Sequence, residues 1–313
     1  MQVSQYLNFF IVNGYFFSKK IQSTSLVGEL MVRYTKRLAL ILFAWVLIYL
    51  FVPFVPISIF FENSILSVLY WNFYDKMTWI FDHPIIFLLR GGLPAKGGHL
   101  WFVISLIMAI SILSLLAIWN QQNKIFLIAI PLYIFSLLAG AYAITPVGIE
   151  VEFQSYEGPF VSTLFIAIGW WLAQSDYKPT PVLAWLAIIG GFLCIIVEAS
   201  ILNYLFNISF NQPYLIGTVF FGTGVMFLAL AKPDLGQNTP FPYLGKFTLG
   251  IYVSHMLVLH VLLYKVIYKL KMYFSDSLWQ LIYPVSLSVG LYLLSLLLTM
   301  LLAKSSYTRR IVI

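Results

Sequence analysis

The chain has 313 residues, of which 61% are hydrophobic and only 9% are charged, and its formal net charge is +7. A soluble domain carries about 25% charged residues, so this composition excludes a water-soluble core. The apolar stretches mostly last about 17 to 25 residues without strict alternation, which is the length of a tilted membrane helix and excludes a β-barrel. The single cysteine, Cys194, excludes a disulfide framework and a Cys/His zinc site.

The hydropathy pattern predicts an all-α fold, a polytopic transmembrane helical bundle of about nine spans. The first span is short and begins almost at Met1. In chain order, the predicted spans are residues 5–17, 38–57, 99–119, 125–144, 158–174, 181–202, 213–231, 247–264 and 278–303.

The loop after the first predicted span determines the predicted orientation. It contains one acid, Glu29, and five basic residues: Lys19, Lys20, Arg33, Lys36 and Arg37. Because the Lys and Arg residues of short loops stay in the cytoplasm, we place this loop inside, which predicts a multi-pass protein with a cytoplasmic C-terminus. The basic residues are spread over many loops without a recognisable binding motif, so we expect no nucleic-acid partner.

The longest predicted loop, residues 58–98, mixes aromatic and charged residues and is placed outside the cytoplasm. Its aromatic residues begin at Phe60 and Phe61 and return at 70–74, a pattern that predicts an amphipathic helix at the membrane surface. The glycines near its end match neither a dinucleotide fingerprint nor a phosphate loop. We interpret them as a flexible approach to the next helix.

Ionisable side chains are almost absent from the predicted spans, and four exceptions stand out: His99, Glu198, His255 and His260. A charge in hydrocarbon is costly, so these positions are candidates for function by default. Histidine titrates near neutral pH, and His99 at the outer mouth of the bundle could bind or deprotonate a sugar hydroxyl. An interfacial histidine beside the interfacial Trp101 is the alternative interpretation.

We interpret His255, which lies deeper in its predicted span, as a functional residue and His260 as a packing residue. Five positions turn a helix by about 140°, so these two histidines do not present a shared metal site, and no metal is predicted. Glu198 either acts directly or is a protonated or hydrogen-bonded group between helices.

Three motifs, in chain order, resemble those of the membrane acyltransferase 3 family. Residues 8–16, Asn-Phe-Phe-Ile-Val-Asn-Gly-Tyr-Phe, resemble its Phe-Phe-x-x-Ser-Gly-Tyr/Phe signature, with Asn13 in place of serine. Residues 98–102, Gly-His-Leu-Trp-Phe, resemble its His-Leu-Trp-Phe segment. Residues 244–255 resemble its Leu-Gly-x-x-Ser-x-x-Ile-Tyr-x-x-His segment, with Thr248 in place of serine. The resemblance extends over essentially the whole chain and points to bacterial surface-polysaccharide O-acetyltransferases.

The resemblance implies a bundle of roughly ten helices that transfers an acyl group, commonly acetyl from acetyl-CoA, to a hydroxyl of a glycan or another envelope component. Residues 1–313 would then form a single acyltransferase-like domain in the lipid bilayer of the bacterial cytoplasmic membrane. Acyl-CoA would be the co-substrate, a glycan or lipid-linked glycan the acceptor, and no cofactor would stay bound.

The site residues are predicted from the ionisable residues of the spans and from the motifs. We predict that His99, His255 and Glu198 are auxiliary catalytic residues. We predict that Trp101 and Tyr252, the aromatic residues of the two histidine motifs, bind the substrate, although aromatic side chains serve membrane belts equally well.

The resemblance also implies that Arg33, Lys36 and Arg37 bind acyl-CoA, because they occupy the family's basic cytoplasmic stretch. Cations suit the phosphates of CoA, but positive-inside anchoring needs the same charges. The family's Arg-x-x-Arg pattern has lysine in second place here, at Lys36, and lysine lacks the bidentate fork of arginine.

The family's first helix carries an arginine followed about ten residues later by the catalytic histidine, and this chain starts after the corresponding point. The resemblance therefore leads us to expect an N-terminally incomplete acyltransferase with little activity as written. The rival interpretations are a carrier or transporter of a lipid-linked glycan and a non-catalytic membrane scaffold. Transporters typically contain internal repeats and pairs of helices broken by Gly or Pro, and we find neither in this sequence.

Overall fold

The computed structural model describes residues 2–24, 26–52, 64–93, 99–175, 177–260 and 275–313, and these residues form helices and loops without a strand. The all-α membrane helical bundle predicted from the sequence is therefore confirmed. The described α-helices, in chain order, are α1 (Gln2–Gln22), α2 (Val27–Phe51), α3 (Ile65–Asp82), α4 (Pro84–Arg90), α5 (Trp101–Ile118), α6 (Ile125–Leu138), α7 (Pro159–Gln174), α8 (Pro181–Phe206), α9 (Ile216–Ala231), α10 (Phe241–Gly245), α11 (Thr248–Val258), α12 (Asp276–Lys304) and α13 (Ser306–Arg309).

Four stretches of helix in the described part of the chain are long and apolar enough to cross a membrane: α2, α5, α8 and residues Tyr283–Leu302 of α12. The chain divides into two compact units. Unit 1 contains residues 1–36 and 101–235, and unit 2 contains residues 37–100 and 236–313. The boundary falls inside α2, so the N-terminal part of this helix belongs to unit 1 and the rest to unit 2.

In unit 1, α1 packs directly against α7 through two glycines. A Cβ atom on Gly14 would lie 2.3 Å from the carbonyl oxygen of Ile166, and one on Gly169 would lie 2.0 Å from that of Ile11. Membrane helices approach this closely only where small residues face the neighbouring backbone. The glycine of the first motif, Gly14, therefore has a packing role.

The helix pair α8 and α9, also in unit 1, has the same kind of interface. A Cβ atom on Gly191 would lie 2.4 Å from the amide nitrogen of Phe221, and one on Gly217 would lie 2.6 Å from the carbonyl oxygen of Gly191. Glycines therefore set the separation of both tightly packed helix pairs.

In unit 2, the third motif lies on α11, which packs against α12 and the C-terminal segment. A Cβ atom on Gly250 would lie 2.3 Å from Cγ2 of Thr299 and 2.9 Å from the carbonyl oxygen of Val312. The indole Nε1 of Trp45 in α2 donates a hydrogen bond to the carbonyl of Ile311, at 2.8 Å. These contacts anchor α11 and α2 to the C-terminal residues of the same unit.

The predicted start of the second span was wrong. α2 begins at Val27 rather than at residue 38, so Arg33, Lys36 and Arg37 lie on a helix and not in a loop. Hydropathy detects apolar runs, whereas the start of this helix is polar and carries Glu29 in its first turn, where an acid is favoured by the helix dipole.

Other predicted ends also moved. α1 has 21 residues and extends past both ends of the predicted span 5–17. α6 ends at Leu138 rather than at residue 144, and a series of turns follows it. The C-terminal end of predicted span 247–264 lies outside the described residues.

Two helices, α3 and α4, occupy the stretch that was predicted to be a surface loop with an interfacial helix. The side chain of Ser64 caps α3 by accepting a hydrogen bond from the amide of Ser67. Tyr70, Trp71 and Tyr74 expose more than half of their surfaces. Exposed aromatic side chains suit a membrane surface, and the position outside the cytoplasm stays a prediction. The aromatic pair at 60–61 and most of the glycine-rich end lie outside the described residues.

Candidate active site

The structure brings together two of the predicted catalytic residues, His99 and His255. Their ring centroids lie 4.9 Å apart, with an edge-to-face angle of 79°. His99 lies two residues before the start of α5, whereas His255 lies on α11, and both belong to unit 2. Both side chains are partly buried. Two of the family-like motifs therefore meet at one place.

Two buried tyrosines complete this arrangement. The ring of Tyr252 lies 5.8 Å from the rings of both His99 and His255, and the ring of Tyr49 lies 5.0 Å from that of His99. Tyr252 was predicted to bind substrate, whereas Tyr49 was not singled out in the sequence. We refer to Tyr49, His99, Tyr252 and His255 as the histidine cluster.

The proton position on His255 follows from its backbone contact. Its Nδ1 atom forms a short hydrogen bond with the carbonyl oxygen of Tyr252. A carbonyl can only accept, so Nδ1 carries the proton, and Nε2 keeps its lone pair when the ring is neutral. This tautomer is the one that a general base acting through Nε2 requires.

His99 has the opposite tautomer. Its Nε2 atom lies 3.3 Å from the carbonyl oxygen of Val253 and must be the donor of that hydrogen bond. The neutral ring of His99 therefore carries its proton on Nε2. Neighbouring backbone carbonyls thus give the two imidazoles of the histidine cluster different neutral tautomers.

The hydroxyl of Tyr49 is inserted into the hydrogen-bond ladder of α11. It donates to the carbonyl of Val253 at 2.7 Å and accepts from the amide of Leu257 at 3.2 Å. In a regular α-helix this amide would bond directly to the carbonyl four residues earlier. The hydroxyl of Tyr49 thus bridges this carbonyl and this amide on the turn that carries His255.

The C-terminal end of α2, which carries Tyr49, is held by side chains of α3. Nζ of Lys76 lies 2.7 Å from the carbonyl oxygen of Tyr49 and 2.9 Å from that of Val52, and Nδ2 of Asn72 lies 3.0 Å from that of Leu50. A cation is favourable at the C-terminal end of a helix dipole. Burial lowers the pKa of Lys76 to about 8, so this side chain is still mostly a cation at pH 7.

Trp101, the other predicted substrate-binding residue, packs inside unit 1. Only 5% of its surface is exposed, and its ring lies 5.0 Å from that of Tyr156 and 6.4 Å from that of Phe10. These contacts give the tryptophan of the second motif a packing role. Its role in substrate binding stays a prediction.

Glu198, the third predicted catalytic residue, lies in unit 1 and caps the start of α9. Its Oε1 atom accepts from the hydroxyl of Tyr142 at 2.5 Å and from the amide of Ile216 at 3.1 Å, and Oε2 accepts from the amide of Gly217 at 3.3 Å. The first amides of a helix lack partners within the helix, and a carboxylate there also benefits from the dipole. These contacts support the alternative left open by the sequence, a hydrogen-bonded group between helices.

We expect Glu198→Gln to lower stability rather than catalysis. An amide keeps one acceptor oxygen but loses the charge and the second acceptor, which costs about 1 kcal/mol and a few degrees of apparent Tm in a chain of this size. Thermal unfolding in detergent measures this change, with the exposed Glu150→Gln as the control. Unchanged Tm together with lost turnover per folded molecule would instead make Glu198 a catalytic residue.

The three predicted CoA-binding residues share one side of α2. Arg33, Lys36 and Arg37 are exposed, and their spacings of three and four residues place them on neighbouring turns of the same face. Their helical positions differ from the predicted loop, but the grouping of the three cations is retained. Binding of acyl-CoA stays a prediction.

The two residues that replace serines in the motifs both form hydrogen bonds. Asn13 donates to the carbonyl of Phe9 at 2.7 Å and accepts from the hydroxyl of Tyr34 at 2.6 Å, which links α1 to α2. The hydroxyl of Thr248 donates to the carbonyl of Gly245 at 2.8 Å at the start of α11. Both replacements therefore have local structural roles.

Sequence reasoning missed Tyr49 and Lys76. A tyrosine in an apolar span is typical of membrane belts, and a lysine in a polar loop is unremarkable in composition. The signal that identifies them is their contact with carbonyls far along the chain or on another helix, which exists only after folding.

Comparison with known protein families identifies the family of this chain. A family model described as an acyltransferase domain matches residues 9–304. The matched region includes both histidines of the cluster. No curated protein and no solved structure gave a match.

Proposed function

Because the chain belongs to the membrane acyltransferase 3 family, we propose that it transfers an acetyl group from acetyl-CoA to a hydroxyl of a cell-surface glycan or envelope precursor. The observation that supports this reaction best is the contact between His99 and His255, with a lone pair on Nε2 of His255. Acyl transfer to a hydroxyl requires a base to remove the proton, and a neutral imidazole can do so near pH 7.

In the proposed reaction, the acceptor hydroxyl attacks the thioester carbonyl of acetyl-CoA. A C–O bond forms while the hydroxyl proton passes to Nε2 of His255. This proposal gives His255 the role of the base, a larger role than the auxiliary one predicted from the sequence. The C–S bond then breaks, and the proton passes from the imidazolium to the departing sulfur, so that the products are an O-acetyl ester and free CoA. His99, whose ring meets that of His255 edge to face, orients the acceptor hydroxyl.

The donor is proposed to bind through the exposed cations of α2. Arg33, Lys36 and Arg37 form a positive surface on one helix face, and the phosphates of CoA are anionic. This assignment places the cations on the cytoplasmic side of the bacterial cytoplasmic membrane, where acyl-CoA is available, and agrees with the positive-inside rule and with a cytoplasmic C-terminus.

The proposal is tested by acetyl transfer in isolated membranes. The gene is expressed with its native upstream region, so that any coding sequence before Met1 is retained, and the membranes receive labelled acetyl-CoA and envelope glycan. We expect alkali-labile label in the glycan, and none with membranes from the same cells without the gene. Absence of label with acetyl-CoA and with other acyl-CoA donors would contradict the proposal and favour a glycan carrier or a scaffold.

A further inference from the structure

We propose that Tyr49 is a positioning residue for acyl transfer, because its hydroxyl bridges the carbonyl and the amide on either side of His255 in α11 and shares the carbonyl that contacts His99. The kinetic part of this inference rests on the proposed function. The structural part, which concerns the tautomers of the two histidines, does not depend on turnover.

The contacts of the Tyr49 hydroxyl on this turn support the role. The hydroxyl of Tyr49 lies between the carbonyl of Val253 and the amide of Leu257, and His255 is midway between these two residues in the chain. Without the hydroxyl, this carbonyl and this amide each lose a hydrogen-bond partner. We expect the turn to rearrange in response and His255 to shift.

The same carbonyl connects Tyr49 to His99. The oxygen of Val253 accepts from the hydroxyl of Tyr49 at 2.7 Å and from Nε2 of His99 at 3.3 Å, which uses both of its lone pairs. A shift of this oxygen would therefore weaken the contact that assigns the proton of His99 to Nε2. One hydroxyl thus influences both imidazoles.

Tyr49 is itself fixed from two sides. Its side chain is fully buried, and its backbone carbonyl accepts from Nζ of Lys76 at 2.7 Å. One turn earlier, Trp45 is hydrogen-bonded to Ile311 at 2.8 Å. The hydroxyl is therefore presented to α11 from a well-anchored part of α2, as positioning of a catalytic group requires.

A second buried tyrosine provides a matched control. Tyr133 in unit 1 also donates its hydroxyl to a backbone carbonyl, that of Leu215, at 2.8 Å. Neither Tyr133 nor Leu215 belongs to the histidine cluster. Tyr133→Phe therefore removes the same chemical group, and about the same kind of stabilising contact, without removing a residue of that cluster.

We expect Tyr49→Phe to lower kcat for acetyl transfer by about ten- to a hundredfold, because small misplacement of a catalytic group has effects of this size. KM for donor and acceptor should stay within about twofold, since the ring and its packing remain. Tyr133→Phe should keep kcat within about twofold. Equal kcat for Tyr49→Phe and the wild-type protein would overturn the kinetic role.

The histidine tautomers are measured separately by nitrogen-15 NMR of histidine-labelled protein, with His99→Gln and His255→Gln spectra for assignment. In the wild-type protein we expect the Nε2–H form of His99 and the Nδ1–H form of His255, and in Tyr49→Phe a mixture for His99. If Tyr49→Phe changed neither the spectrum nor kcat, the inference would be overturned. This would hold even if loss of activity in His255→Gln supported the proposed function.

Failure of the proposed function can also be distinguished from failure of this inference. A changed spectrum in Tyr49→Phe, with no acetyl transfer by the wild-type protein, would support the positioning of the histidines and overturn the proposed function. If Tyr49→Phe does not fold, Lys76→Met loosens the same residue from its backbone side. This variant should change the His99 signals in the same direction, and an unchanged spectrum would again contradict the inference.

Discussion

His255→Gln is expected to reduce acetyl transfer by about a hundred- to ten-thousandfold, the range that a general base contributes. Glutamine has no basic nitrogen but resembles histidine in size, so α11 should keep its packing against α12. The measurement is kcat for transfer from labelled acetyl-CoA to glycan, normalised to the amount of folded protein in the membrane. Because the loss concerns the chemical step, KM for acetyl-CoA should change little.

Two other histidine variants make this prediction specific. His83→Gln is the matched control, because His83 is an exposed residue that stacks on Trp79 at 5.2 Å, and it should keep wild-type turnover. His99→Gln should mainly impair use of the acceptor, seen as a higher KM for glycan. Wild-type turnover of His255→Gln would remove this residue from the proposed reaction.

Gly169→Ala is expected to prevent stable packing of α1 against α7. The new Cβ atom would lie 2.0 Å from the carbonyl oxygen of Ile11 and 2.7 Å from the amide nitrogen of Tyr15, and neither backbone atom can rotate away. Forcing extra atoms into a packed core costs about 1–3 kcal/mol, and contact with backbone places this site at the upper end. We expect a large loss of monodisperse protein and a lower apparent Tm in detergent.

Gly190→Ala is the control for this experiment. Gly190 lies on α8, and a Cβ atom there would meet nothing within 4 Å. Alanine is favoured over glycine in a helix by up to about 1 kcal/mol, so this variant should be as stable as the wild-type protein or slightly more stable. Equal yields and equal Tm for Gly169→Ala and Gly190→Ala would show that α1 and α7 do not pack as closely as described.

Much of the fold could be predicted because membrane helices are long, apolar and separated by polar segments. Every predicted span overlaps a helix of the structure, including the short first one. The start of α2 could not be predicted in this way, since its first turns are polar and its helical structure continues beyond the apolar run. The packing role of Gly14 was equally hidden, because a glycine in a motif does not identify the backbone that faces it.

The candidate site could be predicted only in part. His99 and His255 were identified because ionisable residues are rare in apolar spans. Their contact was not predicted, since it depends on how α11 packs near the residue that precedes α5. The hydroxyl of Tyr49 in the ladder of α11 was missed for the same reason. For Glu198, the sequence left two interpretations open, and the contacts with the amides of α9 that support a capping role exist only after folding.

The most direct test of the central claim is the O-acetyl content of envelope glycan, measured by mass spectrometry in cells that lack the gene and in complemented cells. Complementation with the wild-type gene, including its native upstream region, should restore O-acetyl groups, whereas an equally expressed His255→Gln gene should not. Equal O-acetyl content in all three strains, or equal restoration by both genes, would contradict acetyl transfer by the histidine cluster.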